Sequence, residues 1–248
     1  MRLLRYPLPG EEVVEKLFYA LWKPEGVAME KLRDELLGPA AERLGALGAS
    51  HIKVLLADAW TEPAASARIA RTEPPIAGAV SFWLDCVDDR GPLEAVLDPI
   101  VGRHAGYLVS ESVPVAHRSQ RVSPGERTPG TTMLTFIERP ERMSQEAWLG
   151  FWHEHHAPMA VEVQCTYLYV RNAVVRRLAL DAPGWSGIVE EGFPTEAVTD
   201  PMLWYRAEGS QEKMRENLGR MLASVRTFLD IDRVESLPMS EYLVDGPG

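Results

Sequence analysis

The same order of strands and helices is written through this chain twice, and a duplication of that kind leaves few folds open. In the first half, alternating or continuous apolar runs predict strands at Leu17–Trp22, His51–Leu56, Gly78–Leu84 and Tyr107–Val113. Between them, helical spacing predicts a helix from Met29 to about Leu47 and a short one around Leu93–Val101. In the second half, strands are expected at Thr132–Glu138, Thr166–Val175, Gly187–Phe193 and within Val234–Val244. The intervening helices run from Gln145, capped by Ser144, to about His156, and from about Gln211 to Phe228. Two local matches tie the copies together. Leu37-Gly38-Pro39-Ala40-Ala41 matches His156-Ala157-Pro158-Met159-Ala160, and Ile76–Val80 matches Trp185–Val189. The segment 114–131 lacks apolar periodicity, carries Pro114, Pro124 and Pro129, and reads as the linker between the copies.

A βαββαβ unit folds as a ferredoxin-like layer, one antiparallel sheet with both helices on one face. The bare face of such a sheet needs cover, and two units on one tether meet at high effective concentration. The expected fold is therefore α+β: two tandem ferredoxin-like βαββαβ units, at 13–117 and 130–245, forming an intramolecular dimeric α/β barrel. Such a chain is a monomer with an internal pseudo-dimer, or a homodimer if it pairs again through its outer surfaces.

Charge and composition narrow the partners. With 26 basic and 36 acidic side chains the formal charge is −10, which argues against nucleic acid and against an anionic membrane surface. No run of about 18 uncharged apolar residues is present, so no membrane-spanning helix is expected. The N-terminal stretch reaches Pro7, Pro9 and Glu11 before a signal-peptide core could form, and Cys86 and Cys165 sit in apolar sequence as free thiols. A cytoplasmic protein is expected.

The densest chemical signal is Ala147-Trp148-Leu149-Gly150-Phe151-Trp152-His153-Glu154-His155-His156-Ala157-Pro158-Met159-Ala160. At about 100° per residue, His155 falls within the Trp148/Trp152 stripe, His156 on its edge and His153 well away. A metalloprotease His-Glu-x-x-His would need a histidine where Ala157 stands. His153 and His156 lack carboxylates at a clear spacing, so no metal is expected. The segment resembles the EthD family of the dimeric α/β-barrel superfamily, whose motif is an aromatic-Trp, three residues, then His-small-Pro-Leu-Ala. Here that reads Phe151-Trp152, His153-Glu154-His155, His156-Ala157-Pro158-Met159-Ala160. The resemblance covers roughly 130–245 and, as a degenerate copy, about 13–115, where Arg33 and Leu37 stand in for the motif Trp and His. It implies a C-terminal copy that bears the site and an N-terminal copy that serves as scaffold. Its members include aromatic-polyketide-processing enzymes and catabolic proteins.

Candidate catalytic residues are His156, Glu190 and Tyr169. An imidazole near neutrality suits general acid/base work. Adjacent Glu190 and Glu191 point to opposite faces of a strand, and a buried carboxylate there needs a raised pKa or a partner such as Arg171. Tyr167, Tyr169 and Arg171 share one face, as do His51 and Lys53 in the first copy. That face is either an inter-sheet lumen or the floor of a cleft under the helices. Trp152, Trp148, His155, Tyr167, Arg171 and Phe193 are candidate substrate-binding residues, forming an apolar wall with polar anchors. The Pro194–Gly209 insertion, with Met202, Leu203, Trp204 and Tyr205, reads as a lid or an interface. No Gly-x-Gly-x-x-Gly after a strand, no P-loop and no Gly-x-Ser-x-Gly is present, so no cofactor is expected. Three readings are open: a cofactor-independent lyase, dehydratase or isomerase acting on a small hydrophobic, aromatic or polyketide-like carbonyl compound; a cofactor-free monooxygenase; and a non-catalytic binding or accessory protein.

Overall fold

A computed structural model describes residues 15–116 and 122–244. The ends of the expected units (13–14, 117 and 245) and the middle of the linker lie outside the described residues. Eight strands form one closed antiparallel barrel: β1 (Glu15–Trp22), β2 (Ser50–Leu56), β3 (Gly78–Leu84), β4 (Arg103–Val115), β5 (Thr131–Ile137), β6 (Leu168–Arg177), β7 (Gly187–Phe193) and β8 (Glu235–Leu243). Their order around the barrel is β1-β3-β2-β8-β5-β7-β6-β4. The first four strands are contiguous in the order β4-β1-β3-β2, and the last four in the matching order β8-β5-β7-β6. Two seams, β2–β8 and β4–β6, join the halves. Closure removes free sheet edges, which a barrel of this composition would otherwise have to blunt.

Strand side chains alternate between two environments. Register pairs Phe18 with Ser81 and Tyr107, and Leu134 with Glu190 and Leu237; these residues point into the lumen. There Phe136 stacks on Trp185 at 4.0 Å and Tyr107 packs on Trp185 at 5.5 Å, so one end of the lumen is a dry aromatic plug. The other set of side chains faces outward onto helices. In the first half, Leu17, Tyr19 and Leu21 meet Leu32, Leu36, Leu44 and Leu97. In the second, Ile137, Tyr169 and Val189 meet Trp148, Trp152, Ala160, Val163 and Phe228. Each of these large side chains contributes roughly 1.5–3 kcal/mol by leaving water.

The helices on those faces carry a feature that the sequence did not announce. α1 (Met29–Glu35) passes through a π turn, Leu36–Ala40, into α2 (Ala41–Ala46). After α3 (Gly91–Leu97), α4 (Gln145–Phe151) does the same through Trp152–His156 into α5 (Ala157–Val163). The helix expected to end near His156, or to run on for a turn through Ala160 and Val161, thus continues to Val163. α6 (Pro201–Trp204) lies in the insertion, and α7 (Gln211–Phe228) comes next, capped by the Ser210 hydroxyl accepting from the Lys213 N–H. Cys86 and Cys165 are free and half-buried. Among the described residues no helix is long and apolar enough to cross a membrane.

Candidate active site

A π turn closes i→i+5 hydrogen bonds and so holds one more residue than an α turn. That extra residue rotates the remainder of the helix about its axis. Trp148 and Trp152 stay buried on the sheet side, His156 comes in beneath Trp152, and His155 swings out to solvent against Phe151. An even 100° wheel sets His155 in the stripe; the structure corrects that, and His155 takes no part in the wall. The turn also revises the match between the halves. Pairing Pro39 with Pro158 sets Leu37 opposite His156, whereas the two π turns place Leu36 opposite Trp152 and Ala40 opposite His156. Both first-half residues are buried, and neither can donate or accept a proton where the second half has its imidazole.

His156 is held on two sides. Its Nδ1 lies 2.9 Å from Ser224 Oγ of α7, and its ring packs on Phe228 at 4.6 Å. Burial in these apolar surroundings pushes its pKa down to about 4, so at neutral pH the imidazole is uncharged. Beside it lies a cavity of about 120 Å³ lined by His156, Trp152, Tyr169, Glu191, Met221 and Gln164 among others. The cavity is continuous in its lining with an outer groove of about 450 Å³, walled by Trp204, Tyr205, Met133, Leu222, Val225 and Ile231. Thr135, Gln164, Glu191, Met221, Val225 and Val234 border both chambers. Gly187 makes room for the wall: a Cβ there would sit 2.8 Å from the Trp152 ring.

The carboxylate in this cavity is Glu191. Its partner residues in the sheet, Met133 and Tyr169, also face the helices. Burial raises the Glu191 pKa to about 7, and no hydrogen bond reaches its carboxyl among the described residues. Burial, then the Glu191 charge, also pushes the Tyr169 phenol far up, which keeps it a neutral O–H donor. Glu190, expected beside His156, lies on the opposite face of β7 and points into the lumen. There Lys53 Nζ is 2.8 Å from Oε2, Lys16 Nζ is 3.5 Å from Oε1, and the Asn172 amide donates to Oε1 at 2.9 Å. Lys16 also bridges to Glu111, and Lys53 to Glu241 at 3.6 Å. Burial alone would raise the Glu190 pKa, but the two ammonium groups overcome it and hold the carboxyl well below the usual carboxylate range. Glu190 is thus a fully paired ion joining the two halves, and Arg171 is not its partner.

The remaining expected residues divide. Trp152 and Tyr169 line the inner cavity, with Trp148 behind Trp152 at 5.1 Å. Phe193 stacks on Trp204 at 3.7 Å and backs the wall of the outer groove. Arg171 donates to the His153 carbonyl and to Ser112 Oγ, which ties π turn to sheet. Tyr167 precedes β6 and donates its hydroxyl to the Pro129 carbonyl, against Gly192, so it supports the barrel rim and does not line the cavity. The polar sheet faces of the two halves also differ. Tyr169 and Arg171 form the floor under the helices, while Lys53 enters the lumen. Among the described residues no group of three His, Cys, Asp or Glu comes together to hold a metal ion. Glu191, Ser224, Gln164 and Trp204 were not singled out as site residues by the sequence. Two of them carried a signal: Glu191 as one of two adjacent acids in a strand, and Trp204 as an aromatic in the insertion read as a lid or an interface.

No protein-family model matches the chain, and no curated protein matches it. Among solved structures it is similar to an anthrone oxidase-like protein, with 12% identity, a TM-score of 0.57, and coverage of 96% of this chain and 95% of that one. It is also similar to a candidate monooxygenase of Fusobacterium nucleatum subsp. nucleatum, with 8% identity, a TM-score of 0.52, and coverage of 94% of each chain. At such identities the likeness is one of architecture. The EthD resemblance is carried by the motif alone. The barrel and these neighbours together establish an α+β protein of the dimeric α/β-barrel fold.

Proposed function

We propose that the protein is a cofactor-independent enzyme that moves a proton on a small, apolar carbonyl compound held between α5, α7 and the β5–β7 floor. The observation that carries this reading is a single apolar cavity lined by a carboxyl titrating near 7, an uncharged imidazole and a neutral phenol. Titratable groups whose environments push their pKa values apart are suited to opposite ends of one proton transfer. Glu191 takes the proton from the carbon beside the carbonyl, and the C–H electron pair moves into an enolate. Tyr169 O–H and the His156 Nε2–H donate hydrogen bonds to the oxygen as charge develops there. In this step the Ser224 hydroxyl donates to Nδ1, in the tautomer that leaves the proton on Nε2. Return of the proton to another carbon gives isomerisation; return of it to a departing hydroxide gives dehydration. His156 thus assists as an uncharged donor to the oxygen while Glu191 carries the proton, and Glu191 fills the carboxylate role first sought in Glu190.

The two halves read as fused ferredoxin-like units, the second of EthD type. Their matching strand order and paired π turns support this. With Leu36 and Ala40 in place of Trp152 and His156, the first unit is scaffold.

Exchange of the C2 protons of 1-tetralone in D2O, followed by mass spectrometry, tests the reading. A general base supplies about 10²–10⁴ in rate and one oxyanion donor about 10²–10³, so E191Q and H156A should lower exchange by those orders. The rate should rise with pH through about 7 as Glu191 ionises, and E191Q should lose that rise. Exchange no faster than buffer, or unchanged in both variants, rejects it and leaves a binding or accessory protein. The names of the two neighbours favour a second reading, a cofactor-free monooxygenase, in which the same deprotonation prepares an aromatic anion for O2. Anthrone would then give anthraquinone and water with one O2 consumed, and oxygen uptake that depends on Glu191 separates the two.

A further inference from the structure

Gln164 ends α5 in an extended conformation and is 6% exposed. Its backbone is clamped: the Arg206 Nε–H donates to its carbonyl, its N–H donates to the Ala160 carbonyl, and the next N–H, of Cys165, donates to the Trp204 carbonyl at 2.9 Å. Its side chain is not clamped. Oε1 is buried and has no hydrogen-bond partner among the described residues, yet the side chain borders both chambers at their junction. A buried carbonyl left unsatisfied costs about 1–3 kcal/mol, and it needs a partner from outside the chain, a water or a ligand; among the described residues this one alone of such side-chain groups faces both chambers.

The chambers restrict what that ligand can be. An apolar cavity of about 150 Å³ takes one benzene, so the inner chamber, at about 120 Å³, admits at most a single six-membered ring. The outer groove is several times larger, and the Trp204 ring braced by Phe193 forms part of its wall. No lysine, arginine or histidine lines that groove, and its one ionisable carboxyl is Glu191. A phosphate, a carboxylate or a nucleotide-bearing thioester would find no counter-charge there, and would meet Glu191 besides.

We propose that Gln164 is a specificity-determining residue, and that the ligand is a flat, uncharged, fused-ring carbonyl compound bearing a hydroxyl at the junction. Its reacting ring occupies the inner chamber beside His156 and Glu191, its remaining ring or rings lie in the groove against Trp204, and the hydroxyl donates to Gln164 Oε1. The assignment of which ring reacts rests on the proposed proton transfer; the assignment of the hydroxyl contact does not.

Binding of 1-tetralone, its 5-, 6-, 7- and 8-hydroxy isomers, and 1-naphthoate is measured by calorimetry and by quenching of tryptophan fluorescence. At least one hydroxy isomer should bind about tenfold more tightly than 1-tetralone, and the naphthoate anion more weakly than either. In Q164L that ratio should fall to near one; Q164M is the second variant, and the isomer series in the unaltered protein stands even if both variants misfold. No preference among the isomers, a preference retained in Q164L and Q164M, or tighter binding of the naphthoate overturns the proposal. Preference without any proton exchange supports the hydroxyl contact and rejects the catalytic reading. Exchange without preference rejects only the contact.

Discussion

The inner cavity makes stability depend on pH in two opposite directions. His156 titrates at about 4 against an ordinary 6.5, and Glu191 at about 7 against an ordinary 4.5. At about 1.4 kcal/mol per pKa unit, the His156 displacement is worth about 3 kcal/mol. Glu191 is only partly buried and keeps one side to the groove, so about 2 kcal/mol is the fairer figure there. The signs come from linkage. For His156 the folded pKa is depressed, so its stability is present above 6.5 and is lost as pH falls toward 4. For Glu191 the folded pKa is raised, so its stability is present below 4.5 and is lost as pH rises through 7. Between pH 5 and 7 the two slopes largely cancel in the unaltered protein. Urea unfolding at pH 5, 6, 7 and 8 should expose them one at a time. Relative to the parent protein, H156Q should gain about 2 kcal/mol on going from pH 7 to 5, and E191Q should gain a similar amount from pH 5 to 8. The double variant should track the parent in slope. Differences that stay flat with pH to within about 0.5 kcal/mol, the usual scatter of neutral substitutions, would refute the claim that these groups share one dry cavity.

Three further outcomes are expected. E190A removes the acid that Lys16 and Lys53 share, leaving them Glu111 and Glu241, and should cost about 2–3 kcal/mol, below the roughly 3–5 of a fully uncompensated buried charge, seen as a lower urea midpoint, in contrast to E191Q. S224A removes the contact that orients His156; with about 1 kcal/mol at stake it should slow tetralone exchange roughly fivefold, while circular dichroism and the unfolding midpoint stay close to those of the parent. G187A drives a methyl group against the Trp152 ring, and overpacking of this kind costs about 1–3 kcal/mol; reduced stability together with altered tryptophan fluorescence would register it.

The element order was legible because period-2 and period-3.6 patterns survive in both halves: Gly78–Leu84, Gly187–Phe193 and Gln211–Phe228 have the bounds that the pattern predicts. Parity was not legible. A strand states that Glu190 and Glu191 face opposite ways, but not which one meets the helices; that is set by closure of the barrel, a relation between residues more than a hundred positions apart. The π turn was hidden for a related reason. Its extra residue has no compositional mark in Trp152–His156, so an even helical wheel assigns His155 the place that His156 holds. Ser224 and Gln164 entered the site through tertiary packing of α5 against α7, with no local pattern to single them out.

The ion cluster that Lys16, Lys53, Glu111, Asn172, Glu190 and Glu241 build across both seams bears on how divisible this protein is. Expressed alone, the front portion would keep Glu111 for Lys16 but lose Glu190 and Glu241 and open its lumen to water, and the back portion would expose its Glu190 without either lysine. A polypeptide severed between β4 and β5 should therefore behave as complementing fragments, inert apart and regaining the barrel only when mixed, with salt slowing their reunion.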